Sequence, residues 1–171
     1  MKTVLFTLAL LGFLGGSISQ VKAEEKVAIV SLQRALNESE EGKRAKSSLQ
    51  AERVSKQKEL ETMKQSLKTM RDNLEKQQAV LSQEAKQQKI AEIQNKFQDF
   101  QQKANEYGES LQKKELESTQ KIILALRATV IDVAKKQGYD TLYENSSDVI
   151  LYSKHAVDIT SDLIKAYNQK R

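Results

Sequence analysis

A three-four alternation of apolar side chains through residues 60–111 constrains this chain more than any other feature. Leu60, Met63, Leu67, Met70, Leu74 and Leu81 form one series, with the polar Gln77 inside it; Ile90, Ile93, Phe97, Phe100, Ala104, Tyr107 and Leu111 form a second. This spacing is a heptad seam, one narrow stripe on each helix that carries it. The nine-residue step from Leu81 to Ile90 breaks the register, so the two stripes are not continuous. A stripe along an otherwise Lys, Glu and Gln-rich helix must meet a partner, and two stripes joined by a short polar segment can meet each other. An antiparallel helical hairpin is expected, with its tip near 81–87. Ser82 is placed to cap the returning helix, and Glu84 lies in its first turn against the positive end of the dipole. One unbroken rod pairing in parallel with a second copy is the competing arrangement, and it leaves the register break as a stutter.

Composition agrees with long helices. The 171 residues include no Pro, no Cys, no Trp and six Gly, and a Pro-free chain has no built-in helix breaker. With four Phe and five Tyr there is little aromatic mass for a large core, so a modest body carrying an extended arm is expected rather than one globule. The expected division is a signal peptide at 1–23, a body from 24–41 and 121–171, and an arm over 42–120. Lys2, the apolar run 3–14, Gly15-Gly16, and Val21 and Ala23 at the minus-three and minus-one positions read as an export signal cleaved after Ala23. The run is short for a membrane span, a retained anchor being the alternative. Losing Lys2 and Lys22 takes the formal charge from +5 to about +3. Anionic lipid surfaces and polypeptides in transit are then more natural partners than nucleic acid.

In chain order, Val27-Ala28-Ile29-Val30 reads as a strand buried on both faces. Ser31 caps a short helix whose face is Leu32, Ala35 and Leu36, and Gly42 marks either a kink or brief break before the arm or a glycine within a continuous helix. The proximal arm, carrying only Ala45, Leu49 and Lys56 on its seam, is expected to be loosely packed or water-lined. Ile122 to Ala134 is apolar around most of its circumference, which calls for burial on more than one side and argues for association between chains. Val27, Ile29, Ile122, Leu126, Val130 and Ile131 are the residues expected to assemble copies. Gly138 ends that helix after Lys135 and Lys136. Residues 139–144 and 149–153 read as two strands joined by a turn at 145–147, and Asp158 as the N-cap of a last helix with Ile159, Leu163, Ile164 and Tyr167 on one face.

No catalytic constellation is visible, and no enzyme, metal or cofactor is expected. His155 is the sole histidine and there is no Cys, so a conventional soft-metal site cannot be built. Glu59 with Glu61 and Glu115 with Glu117 read as solvated surface. Interleaved acids and bases without an aromatic cluster do not make a nucleic-acid platform. Leu60, Met63, Leu67, Met70, Leu74, Ile90, Ile93, Phe97, Phe100 and Tyr107 are arm-packing residues that a thin seam can also offer to a guest chain, the chemistry of an adaptable binder.

Val27 to Val30 followed by Leu32-Gln33-Arg34-Ala35-Leu36, the long Pro-free hairpin, Gly138-Tyr139-Asp140 and Val157-Asp158-Ile159-Thr160 together resemble the Skp (OmpH-like) family of periplasmic chaperones. The resemblance covers essentially the whole chain after the signal. It implies an α+β fold with a coiled-coil-like arm on a small β-containing body, and a jellyfish-shaped homotrimer. It further implies an ATP-independent holdase for unfolded outer-membrane proteins. An envelope spacer or adaptor that docks one defined partner is the alternative function.

Overall fold

The computed structural model describes residues 25–145 and 150–170. The export signal, and positions 146–149 of the expected turn and second strand, lie outside the described residues. Seven elements follow in order: β1 (Val27–Val30), α1 (Leu32–Glu38), α2 (Glu40–Gln77), α3 (Gln83–Gln137), β2 (Thr141–Glu144), β3 (Val157–Asp158) and α4 (Thr160–Gln169). The chain is mostly helical, with two long helices and one small parallel sheet.

The apolar β1 takes the centre of that sheet, in the order β2-β1-β3. It pairs in parallel with β2 from Val27↔Thr141 to Val30↔Glu144, and with β3 at Ala28↔Val157 and Ile29↔Asp158. Ala28 and Val30 are buried under the helices, whereas Val27 and Ile29 stay half-buried. The expectation of a strand buried on both faces is therefore met on one face, because α1, α3 and α4 cover only that side. Leu126 and Leu163 are fully enclosed, with Val30, Ala35, Ile122, Val130, Ile159 and Tyr167 around them.

Among the described residues, the expected second strand of the hairpin does not form. Residues 150–153 have no regular structure, and Leu151 and Tyr152 are 90% and 84% exposed. The second strand is instead β3, which takes the edge of β1 that β2 leaves open and runs parallel to it. Among the described residues, the run at 150–153 pairs with no strand. Asp158 ends β3 rather than serving as the N-cap itself. Its Oδ1 still accepts from Thr160 N at 2.8 Å, and Oδ2 accepts from Arg34 at 3.1 Å.

The break between body and arm falls at Ser39, not at Gly42. Ser39 is at once the C-cap of α1 and the N-cap of α2, its amide donating to Ala35 O and its hydroxyl accepting from Gly42 N. Gly42 sits inside the first turn of α2, where a Cβ would stand 1.7 Å from the Leu36 carbonyl oxygen. Glycine is required there for the close approach of two backbones. The root of α2 is also tied to α4: Glu40 N donates to Asn168 Oδ1 at 3.1 Å, and the Tyr167 hydroxyl donates to Glu41.

α2 rises for 38 residues, about 57 Å at 1.5 Å per residue. The chain reverses over 78–82, and Ser82 accepts from Ala85 N at 3.2 Å to start α3. Of the expected tip, 83–87 is already helix, because Gln, Glu, Ala and Lys favour helix once Ser82 caps it. α3 ends at Gly138 (φ 72°), where the Gly138 and Tyr139 amides donate to the carbonyls of Lys135 and Ala134. That is a Schellman closure, with Lys135 and Lys136 beside the negative end of the helix.

Candidate functional site

The candidate site is the arm formed by α2 and α3, whose seam is thin. Leu67 and Ile93 are its buried residues, at 7% and 8% exposure. Leu60, Met63, Met70, Leu74, Phe100 and Tyr107 are half-buried. Ile90 and Phe97, expected within the seam, are 45% and 39% exposed. On α3 the positions seven apart at 93, 100 and 107 take the seam, and 90 and 97 fall on its flank. Phe97 is partly covered by the Arg71 guanidinium, 5.7 Å from the ring centre, a geometry within cation–π range.

Where apolar contacts thin out toward the body, charge takes over. Lys103 Nζ lies 2.8 Å from Glu59 Oε1, and Lys114 Nζ lies 2.6 Å from Glu52 Oε1. Lys56 stands 3.6 Å from Glu52 and 4.0 Å from the Tyr107 ring centre. Glu59, read from sequence as free surface, is thus a cross-arm bridge, and the loosely packed proximal arm is held by ion pairs. Hydrogen bonds from Lys114 and Lys103 hold the Glu52 and Glu59 carboxyls below their ordinary values. The Glu59 carboxylate in turn raises both Lys103 and Tyr107.

The expected assembly residues divide into two groups. Ile122, Leu126 and Val130 are buried at 3% or less inside this chain's own core, where they hold α3 to β1 and α4. Ile131 is 48% exposed, and Val27 and Ile29 are half-buried on the uncovered face of the sheet. With Leu124, 65% exposed, these are the apolar residues of the group that the single chain leaves unsatisfied.

Sequence reasoning missed one pattern. From Lys89 to Glu109 α3 repeats a seven-residue unit three times, KIAEIQN, KFQDFQQ and KANEYGE. Fixed positions for Lys, for an acid and for the two apolar residues were legible as an internal repeat; a search confined to apolar spacing passes over them.

A long, thinly packed helical hairpin on a small parallel sheet defines a class of extended rather than globular proteins. The chain belongs to the family described as "Outer membrane protein (OmpH-like)", which matches residues 26–167. It is similar to "Chaperone protein Skp" of Blochmanniella pennsylvanica (strain BPEN), with 27% identity over 148 residues, 86% of this chain and 89% of that relative. The fold is that of an OmpH-like protein of Caulobacter crescentus CB15 whose crystal structure superposes with a TM-score of 0.80. That match has 21% identity and covers 98% of this chain and 92% of the other. The family is one of chaperones.

Proposed function

We propose that the protein is an ATP-independent holdase of the periplasm, exported by residues 1–23, that keeps unfolded outer-membrane proteins from aggregating before assembly. The observation that carries this reading is the arm: two long helices stand away from the body with only Leu67 and Ile93 buried along their apolar seam. Such an arm offers many weak contacts and no fixed stereochemistry, which suits clients that share only unfolded, apolar sequence. No catalysis is needed for that task.

The arm, 42–120, acts from a body built of 24–41 and 121–171, and three copies enclose the client. Val27, Ile29 and Ile131 are assigned to the assembly face. At the arm tip Val80 is 85% exposed between Lys76 and Lys86, which supports a weak contact with anionic lipid and no more. A second reading, an envelope spacer docking one partner, is favoured by the ion pairs that fix the arm's register. Light scattering from several unrelated denatured outer-membrane barrels, diluted with residues 24–171, separates the two. The holdase suppresses aggregation of all of them; suppression of none, by a well-folded protein, leaves the spacer.

A further inference from the structure

The three-fold heptad of α3 sorts its charges. Lys96, Asp99, Lys103 and Glu106 line the groove that α3 forms with Glu59 and Met63 of α2, and Lys103 closes on Glu59. Of the positions left over in the first two repeats, Gln102 also lines that groove and donates to Glu106 Oε1 at 2.7 Å, whereas Ala91, Gln94, Asn95, Gln98 and Gln101 are exposed and do not line it. Between 87 and 108, then, this outward face carries no charged residue, in a chain of which 30% is charged. Its seam-side edge is formed by Ile90 and Phe97. α2 is built differently, with Lys58, Glu61, Lys64, Lys68 and Asp72 all exposed on its surface.

Helix propensity explains glutamine on an exposed helix but not the confinement of the charges between 87 and 108 to the Lys and acid positions of the repeat, four of which line the groove with α2. Side-chain amides offer two donors and an acceptor oxygen with no net charge. An extended unfolded chain presents the complementary need, unpaired peptide N–H and C=O groups between apolar side chains. A charged side chain pressed against such a segment loses hydration without gaining a counter-charge. An amide exchanges a hydrogen bond to water for one to the peptide, at little cost.

We infer that this amide face of α3, edged by Ile90 and Phe97, is where the arm holds an extended, unfolded outer-membrane segment, recognising peptide groups and apolar side chains rather than charge. The inference rests on the holdase reading and says where on the arm it acts.

The test is the affinity of residues 24–171 for a fluorescently labelled, denatured outer-membrane barrel diluted from urea, read by anisotropy. Variants Q94E/Q98E and Q94K/Q98K charge the amide face with either sign; Q57E/Q65E and Q57K/Q65K do the same on exposed positions of α2. Glu, Lys and Gln are comparable helix formers, so circular dichroism should not change. Both α3 variants are expected to bind about tenfold more weakly, with the α2 variants within about twofold of the unsubstituted protein. Equal affinity of the α3 and α2 variants overturns the inference. So does weakening by one sign of charge alone, which marks ordinary electrostatics. A changed oligomeric mass confined to the α3 variants gives the face to a second copy and overturns it as well. Failure of the unsubstituted protein to bind any denatured barrel is a different result, and it removes the holdase reading itself.

Discussion

Gly42 and Ser39 decide how the arm leaves the body. Any side chain at 42 meets the Leu36 carbonyl, so Gly42→Ala should destabilise the fold by about 1–3 kcal/mol, the usual range for overpacking, in a urea titration. A variant as stable as the parent would show that α1 and α2 do not need to approach so closely. The sequence left this glycine open between a breaker and a residue within the helix, and it is the latter; its role depends on the position of Leu36 six residues earlier, which a local reading of turn formers does not include. At Glu52 and Glu59 the sign of the pH effect is fixed. Each carboxyl is held low by a lysine across the arm, so its contribution is complete above the ordinary carboxylate range and is lost as pH falls through the depressed folded value. Both groups are solvent-accessible, so the loss is partial. Spin labels at Ser55 and Glu109 should report a broadened distance between the helices below about pH 4 and none between pH 6 and 8. About 1 M salt should broaden it at neutral pH, since screening acts on the same pairs. An unchanged distance in acid and in salt would show that the pairs hold nothing.

Among the elements, helices were the most legible and strands the least. The hairpin, the Ser82 cap, the Gly138 stop and the buried face of α4 all follow from spacing within one segment. The parallel order β2-β1-β3 does not, because it joins strands more than a hundred residues apart through an arm. An alternating run such as 149–153 carries no mark of whether a sheet edge awaits it. Within the arm, apolar spacing identified the right pair of helices but could not tell 93 from 90, since both lie in a three-four series. The distinction has a measurable consequence. Leu67→Ala should lower stability by about 2 kcal/mol, at the low end for buried leucines because the seam is shallow. Phe97→Ala should leave the melting temperature nearly unchanged and weaken client binding. A large stability loss for Phe97→Ala would return that ring to the seam.

At the scale of the whole molecule, the single chain leaves apolar surface uncovered on the free side of the sheet and along α3, at Ile29, Leu124 and Ile131. If the proposed assembly of three copies holds, residues 24–171 run as a trimer in multi-angle light scattering, and Ile131→Asp shifts the mass toward monomer. A stable monomer of the parent protein at micromolar concentration would contradict the assembly. Sequence periodicity saw that the Ile122 to Ala134 stretch is apolar all round. It could not apportion that surface between the chain's own core, which takes Ile122, Leu126 and Val130, and the remainder that the single chain leaves exposed at Leu124 and Ile131. The central claim is that the arm, not the body, holds the client. The most direct measurement is aggregation of a large denatured outer-membrane barrel in the presence of proteins whose arms are shortened by matched heptads on α2 and α3, with the assembled mass checked alongside. Capacity for the large client should fall with each heptad removed while the mass of the assembly stays in step with the shortened chain. Undiminished suppression by a protein whose arm has been trimmed back to the body would contradict it.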